Sequence, residues 1–128
     1  INSPTFYVFR QPNWTMSSFS ESTGSGGYTI VKIAWSPNDE LIAAIYQADY
    51  PDWEPQYYLN IYNSDTGEIV VNRFWLPEGY AHHSGYSDDI YSNTLHWSPD
   101  NQYLSFDNGS QVFLVDMKGH STTFQFEE

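Results

Sequence analysis

Trp35-Ser36-Pro37-Asn38 and Trp97-Ser98-Pro99-Asp100 are one four-residue signal used twice. Each copy closes an alternating apolar run and opens another, so it reads as a turn between two strands. Serine suits the first position of a type I turn, and proline pre-sets φ at the second. A turn signal used twice indicates an internal repeat, and a repeat sets the architecture before any other feature does.

Before the first copy, Val31, Ile33 and Trp35 are expected on one face of a strand, with Lys32 and Ala34 on the other. After it, Leu41-Ile42-Ala43-Ala44-Ile45 is apolar on both faces, as a strand covered on both sides requires. Asp49-Tyr50-Pro51-Asp52-Trp53-Glu54-Pro55 then interrupts the pattern, because its two prolines forbid a central strand. Residues 57–62 resume as a strand, Asn63-Ser64-Asp65-Thr66-Gly67 makes a hairpin turn, and residues 68–75 form the fourth strand. The second copy repeats the plan, with strands over 93–97, 102–106, 111–117 and 121–126. Trp35 and Trp97 lie 62 positions apart but Gly67 and Gly119 only 52, so the proline-bearing insertion accounts for the difference.

The N-terminal stretch is less regular. A strand is expected over 5–10, a stop at Pro12-Asn13, a second strand over 14–20 and a Gly/Ser-rich loop to residue 27. The resulting layout is an N-terminal strand or hairpin over 1–27 that belongs to an incomplete unit or pairs in trans. A first four-strand unit follows over 28–76, a loop over 77–92 and a second unit over 93–128.

Composition agrees with an all-β chain. Aromatics make up 19% of the 128 residues, suiting pleated surfaces, and no long stretch has helical periodicity. Four basic residues against sixteen acidic ones, a net charge of −12, argue against nucleic acid and anionic membranes as partners. Cations, basic proteins and neutral glycans remain, and the acidity also keeps an aromatic-rich surface soluble. The absence of cysteine excludes disulfides and thiolate chemistry. No apolar run approaches the ~18 residues of a membrane-spanning helix. A start at Ile1 without a leader-like segment suggests a processed or trimmed end. The Tyr-, Asn- and Ser-rich, Lys-poor composition leans extracytoplasmic, periplasmic or secreted, and Asn13 and Asn108 head N-glycosylation triplets.

Candidate site residues fall in two loops. His82, His83, Asp88 and Asp89 are metal-ligand types within eight positions, although adjacent histidines point apart in an extended chain. Tyr50, Asp52 and Trp53, with Tyr80, His83, Tyr86, Asp88 and Asp89, make an aromatic and acidic set suited to protein or glycan contact. The alternative for the His82–Asp89 loop is a solvated connection, and for the Tyr50–Trp53 loop an acidic loop whose Trp53 packs down. His96, matching Ala34 in the first unit, reads as a satisfied or edge histidine rather than a catalytic base. There is no Gly-x-Ser-x-Gly or Walker motif and no glycosidase-like carboxylate pair, so no catalytic residue and no cofactor are expected. Trp35, Pro37, Gly67, Trp97, Pro99 and Gly119 are expected to be structural, the tryptophans as core anchors of first strands.

The Trp-Ser-Pro-(Asn/Asp) turn, the apolar strand after it, and a third strand closing in Asp65-Thr66-Gly67 or Lys118-Gly119 resemble the WD40-like repeats of TolB-type β-propellers, the PD40 blades. The propeller domains of prolyl-oligopeptidase-type peptidases are similar. The resemblance spans residues 28–126. Tyr62-Asn63 and Val115-Asp116 replace the Trp-Asp dipeptide of WD40 blades, and no Gly-His pair precedes either first strand. It implies two four-stranded antiparallel blades plus an N-terminal strand or hairpin, an incomplete propeller in one chain, since closure takes about four to eight blades. The function implied is a non-enzymatic scaffold or binding module that forms a homo-oligomer or completes a larger propeller. Alternatives are an accessory propeller domain of a peptidase or glycan-active enzyme, and a subunit of an open extracellular filament.

Overall fold

The computed structural model describes residues 5–20, 27–49, 56–76, 95–107 and 111–125, and all regular structure among them is strand. The strands are β1 (Thr5–Arg10), β2 (Thr15–Ser20), β3 (Gly27–Trp35), β4 (Leu41–Asp49), β5 (Gln56–Asn63), β6 (Ile69–Trp75), β7 (Leu95–Trp97), β8 (Tyr103–Asp107), β9 (Gln111–Asp116) and β10 (Ser121–Gln125). They form three antiparallel sheets, β1-β2, β3-β4-β5-β6 and β7-β8-β9-β10, each ordered as in the chain. The sheets stack without closing on themselves.

Alternation along β4 and β5 assigns the two cores. Ala43, Ile45, Leu59 and Ile61 point forward and pack with Leu104, Phe106, Phe113 and Val115 of the following sheet. Ile42, Ala44, Tyr46, Tyr58 and Tyr62 point back and pack with Phe6, Val8 and Phe19 of the hairpin. Apolar groups on both faces of β4 are thus removed from water, each fully buried Ile contributing about 1.5–3 kcal/mol. A uniformly apolar strand is what a middle layer needs.

The expected alternation in β3 is broken. Ile30 pairs with Tyr46 and Lys32 with Ile45, so Val31 is an extra residue in a β-bulge. The extra residue shifts the phase. Val31 joins Ala34 at the core between the four-stranded sheets, while Ile33 and Trp35 are exposed on the other face.

The repeated turns have the same wiring. Ser36 Oγ accepts the Leu41 N–H at 3.0 Å and donates to Asn38 Oδ1 at 2.7 Å, and Asn38 Oδ1 accepts the Glu40 N–H at 3.0 Å. Ser98 Oγ likewise accepts from Tyr103 at 3.0 Å and donates to Asp100 Oδ1 at 2.6 Å, which accepts the Gln102 N–H at 3.1 Å. The fourth residues, Asp39 and Asn101, take φ of 63° and 64°, a left-handed conformation that Asp and Asn tolerate best among non-glycine residues. The turns also meet across the sheets, where the Asn38 N–H donates to Asn101 Oδ1 at 3.1 Å. Beside them, Trp97 Nε1–H donates to the Ala34 carbonyl at 3.1 Å, tying one first strand to the other.

Where the first unit uses Asn38 and Asn63 as turn acceptors, the second uses Asp100 and Asp116. The Ser98 hydroxyl, then the Gln102 N–H, holds the Asp100 carboxyl below its usual 3.8. The His120 N–H does the same for Asp116. A carboxyl lowered in the folded state contributes stability above its unfolded pKa and loses it as pH falls through the folded value. The double variant Asp100→Asn/Asp116→Asn copies the first unit. Its thermal midpoint is expected to fall less than the wild type's on acidification below about pH 4, and parallel midpoint-versus-pH curves would refute this account.

The hairpin repeats the same plan. Arg10 to Trp14 has the length of Asn63 to Gly67, and both segments end at positive φ, 54° and 76°. Gly119 does the same at 84°. From these anchors, the cross-strand pairs Phe6–Phe19, Leu59–Phe74 and Val112–Phe124 are equivalent. The hairpin therefore matches the third and fourth strands of a unit, with nothing described in place of the first two.

Candidate functional site

Arg10 ends β1 and reaches the first four-stranded sheet. Its Nη2 donates to Ser64 Oγ and pairs with Asp65 Oδ1 at 3.2 Å, and its guanidinium lies 5.8 Å from the centre of the Trp35 ring. Ser64 is buried because the sheet holds it: its N–H donates to the Glu40 carbonyl and its Oγ to the Asp39 carbonyl, at 2.8 and 2.7 Å. Asp65 is 70% exposed, so the ion pair contributes at most about 1 kcal/mol and mainly orients the arginine.

Around this arginine, Phe9, Gln11, Trp35 and Asp39 complete an open groove of about 470 Å³. It offers a flat indole, a cation, a carboxylate and an amide. Such a set can stack a ring and hydrogen-bond its substituents.

Trp35 departs from its expected role as a core anchor, being 42% exposed. Trp97 donates to the first strand of the sheet before it. The sheet before Trp35 is the hairpin, which supplies only third- and fourth-strand equivalents among the described residues. Its indole has no first strand to meet and faces the groove. A tryptophan at the end of an apolar strand reads as core, and no local signal in the sequence marks it as a groove wall. Trp97 is half-buried against the core, Pro37 and Pro99 are exposed in their turns, and Gly67 and Gly119 hold the positive-φ corners.

Tyr50, Asp52, Trp53, Tyr80, His82, His83, Tyr86, Asp88 and Asp89 lie outside the described residues, as does Asn108. Asn13 is exposed in the β1–β2 turn, and His96 is exposed on the edge strand β7. Among the described residues, no three His, Asp or Glu side chains gather to hold a metal, and no helix is long and apolar enough to cross a membrane.

Two further exposed surfaces bound the stack. At one end the hairpin presents Tyr7, Phe9 and Met16, each more than half exposed. At the other, the forward face of the last sheet presents Tyr103 and Phe124, 47% and 51% exposed, beside half-buried Val112 and Leu114. No family model, curated protein or solved structure matches the chain.

Proposed function

We propose that the chain is a non-enzymatic scaffold or binding module of propeller-type blades, acting outside the cytoplasm, that self-assembles or completes a larger propeller. Protein or glycan contact falls to its aromatic and acidic surfaces, of which the Arg10–Trp35 groove is one. One observation carries the reading: three successive sheets present the same apolar forward set. Phe6, Val8 and Phe19 are buried by the next sheet, Leu59, Ile61 and Phe74 pack at the next interface, and Val112, Leu114 and Phe124 face outward. In stacked repeats, stability is the sum of unit and interface terms, so a uncovered terminal face is a missing term.

The test is a tandem chain of two copies joined by a flexible linker. At low concentration it is expected to melt several degrees above the single chain, because one further interface forms within the molecule. An unchanged midpoint would overturn the reading.

A further inference from the structure

The forward face of the last sheet is not apolar throughout. Its β9–β10 half carries Val112, Leu114 and Phe124. Its β7–β8 half carries His96 and Ser105, which pair across the two strands, Asp107, which pairs with Val112 of β9, and the exposed Tyr103. In the preceding sheet, the positions of His96, Ser105 and Asp107 are Ala34, Ala43 and Ile45, all packed in the core. Tyr103 apart, the face has therefore kept its apolar residues over the third and fourth strands and turned polar over the first and second.

Among the described residues, one sheet is only two strands wide: the β1–β2 hairpin. Seated on the first four-stranded sheet, it packs with Ile42, Ala44 and Tyr46 of the second strand and Tyr58 and Tyr62 of the third, and leaves Ile33 and Trp35 on the first strand and Ile69 and Trp75 on the fourth exposed. Its own rear face is built for a second contact. Tyr7 and Phe9 stand where Phe113 and Val115 stand in the last sheet, by the alignment of Arg10 with Asp116. Phe113 and Val115 are at most 1% exposed, whereas Tyr7 and Phe9 are 57% and 60% exposed. The two open surfaces continue the two interfaces already formed inside the chain, one supplying the forward half and the other the rear half.

Resting on the reading just given, we infer that the β9–β10 half of the last sheet is the docking surface for the β1–β2 hairpin of a second copy. The contact is head-to-tail. Phe9, Tyr7 and Met16 of one copy cover Val112, Leu114 and Phe124 of the next. His96, Ser105 and Asp107 stay in water, because a sheet two strands wide does not span all four strands. A heterologous contact of this kind closes into a ring or runs on as a filament. Two copies of three stacked sheets make six positions, within the range of about four to eight at which radial stacks of sheets close.

The experiment uses light scattering on the wild type, on Phe9→Glu and on Leu114→Lys. Both substitutions lie on exposed or half-buried positions, and circular dichroism with a thermal melt checks that each variant folds. The wild type is expected at a multiple of its 14.8 kDa chain, with two chains the smallest closed count. Each variant alone is expected to associate about tenfold or more weakly. Mixed in equal amounts they are expected to regain mass, because the intact hairpin of Leu114→Lys meets the intact sheet of Phe9→Glu. Undiminished assembly of Phe9→Glu alone would overturn the head-to-tail contact, since only a sheet-to-sheet dimer ignores the hairpin. A monomeric wild type would overturn it too. If the tandem chain still melts higher in either case, the blade reading stands without it.

Discussion

Tyr62→Ala is expected to cost about 3–5 kcal/mol, as large aromatic truncations in a packed core do, and to release the N-terminal hairpin. The Tyr62 ring is where the hairpin meets the first four-stranded sheet. Phe6 and Phe19, stacked at 5.0 Å, pack against it at 5.8 and 5.4 Å. Its hydroxyl is equally committed, lying 2.8 Å from the Tyr46 hydroxyl and accepting from Asn60 Nδ2 at 2.9 Å. Tyr62→Phe keeps the rings and removes the shared oxygen, so it is expected to cost about 1–3 kcal/mol with the hairpin still docked. Urea denaturation gives the two costs. Trypsin gives the docking, because Arg10 is held at the end of the hairpin by Ser64 and Asp65. Rapid cleavage after Arg10 is expected in Tyr62→Ala and not in Tyr62→Phe. Equal protection in both would show that the rings do not anchor the hairpin.

Asn60→Leu is the second large effect, expected at about 1–3 kcal/mol for leaving a buried donor unsatisfied. Leucine would suit the apolar surroundings of this fully buried position. The reason asparagine stands there is on the neighbouring strand. Between the pairs Leu59–Phe74 and Ile61–Val71, β6 holds one residue more than β5, so a bulge faces Asn60. The bulge puts Arg73 at φ 50° and turns its N–H out of the ladder, toward Asn60 Oδ1 at 2.7 Å. The amide side chain thus replaces a backbone acceptor. Such a bulge also bends the outer strand β6 away from edge-to-edge pairing. A urea midpoint unchanged in Asn60→Leu would rule out this role.

These two positions mark how far the sequence could be read. Tyr62 falls within the strand expected over residues 57–62, and only the packing of the hairpin shows its ring as an anchor. Asn60 reads as a polar interruption in an apolar run, because the donor it satisfies is created by a bulge thirteen residues later. Val31 is the same case, since nothing near it in the chain announces the extra residue that turns Ile33 and Trp35 outward. The hairpin was legible as two strands of an incomplete unit or a segment pairing in trans, but not as the third and fourth strands of a unit, because Trp14 occupies the corner that glycine holds in the other two units. The loops bearing the His82–Asp89 and Tyr50–Trp53 candidates lie outside the described residues, and the groove at Arg10 was not legible because Arg10, Asp39 and Trp35 come from separate segments.

By itself, the sequence determined the strands, the Trp-Ser-Pro turns and the four-strand repeat, because these follow from local periodicity and local hydrogen bonding. Asn38, Asp100, Asn63 and Asp116 wire their turns through neighbours within a few residues. Only the tertiary structure decided which face of each sheet is covered. That choice depends on bulges that change phase and on what the preceding sheet supplies. Trp97 meets a first strand and ties two sheets together, whereas Trp35, in the same turn motif, meets none among the described residues and lines a groove beneath Arg10.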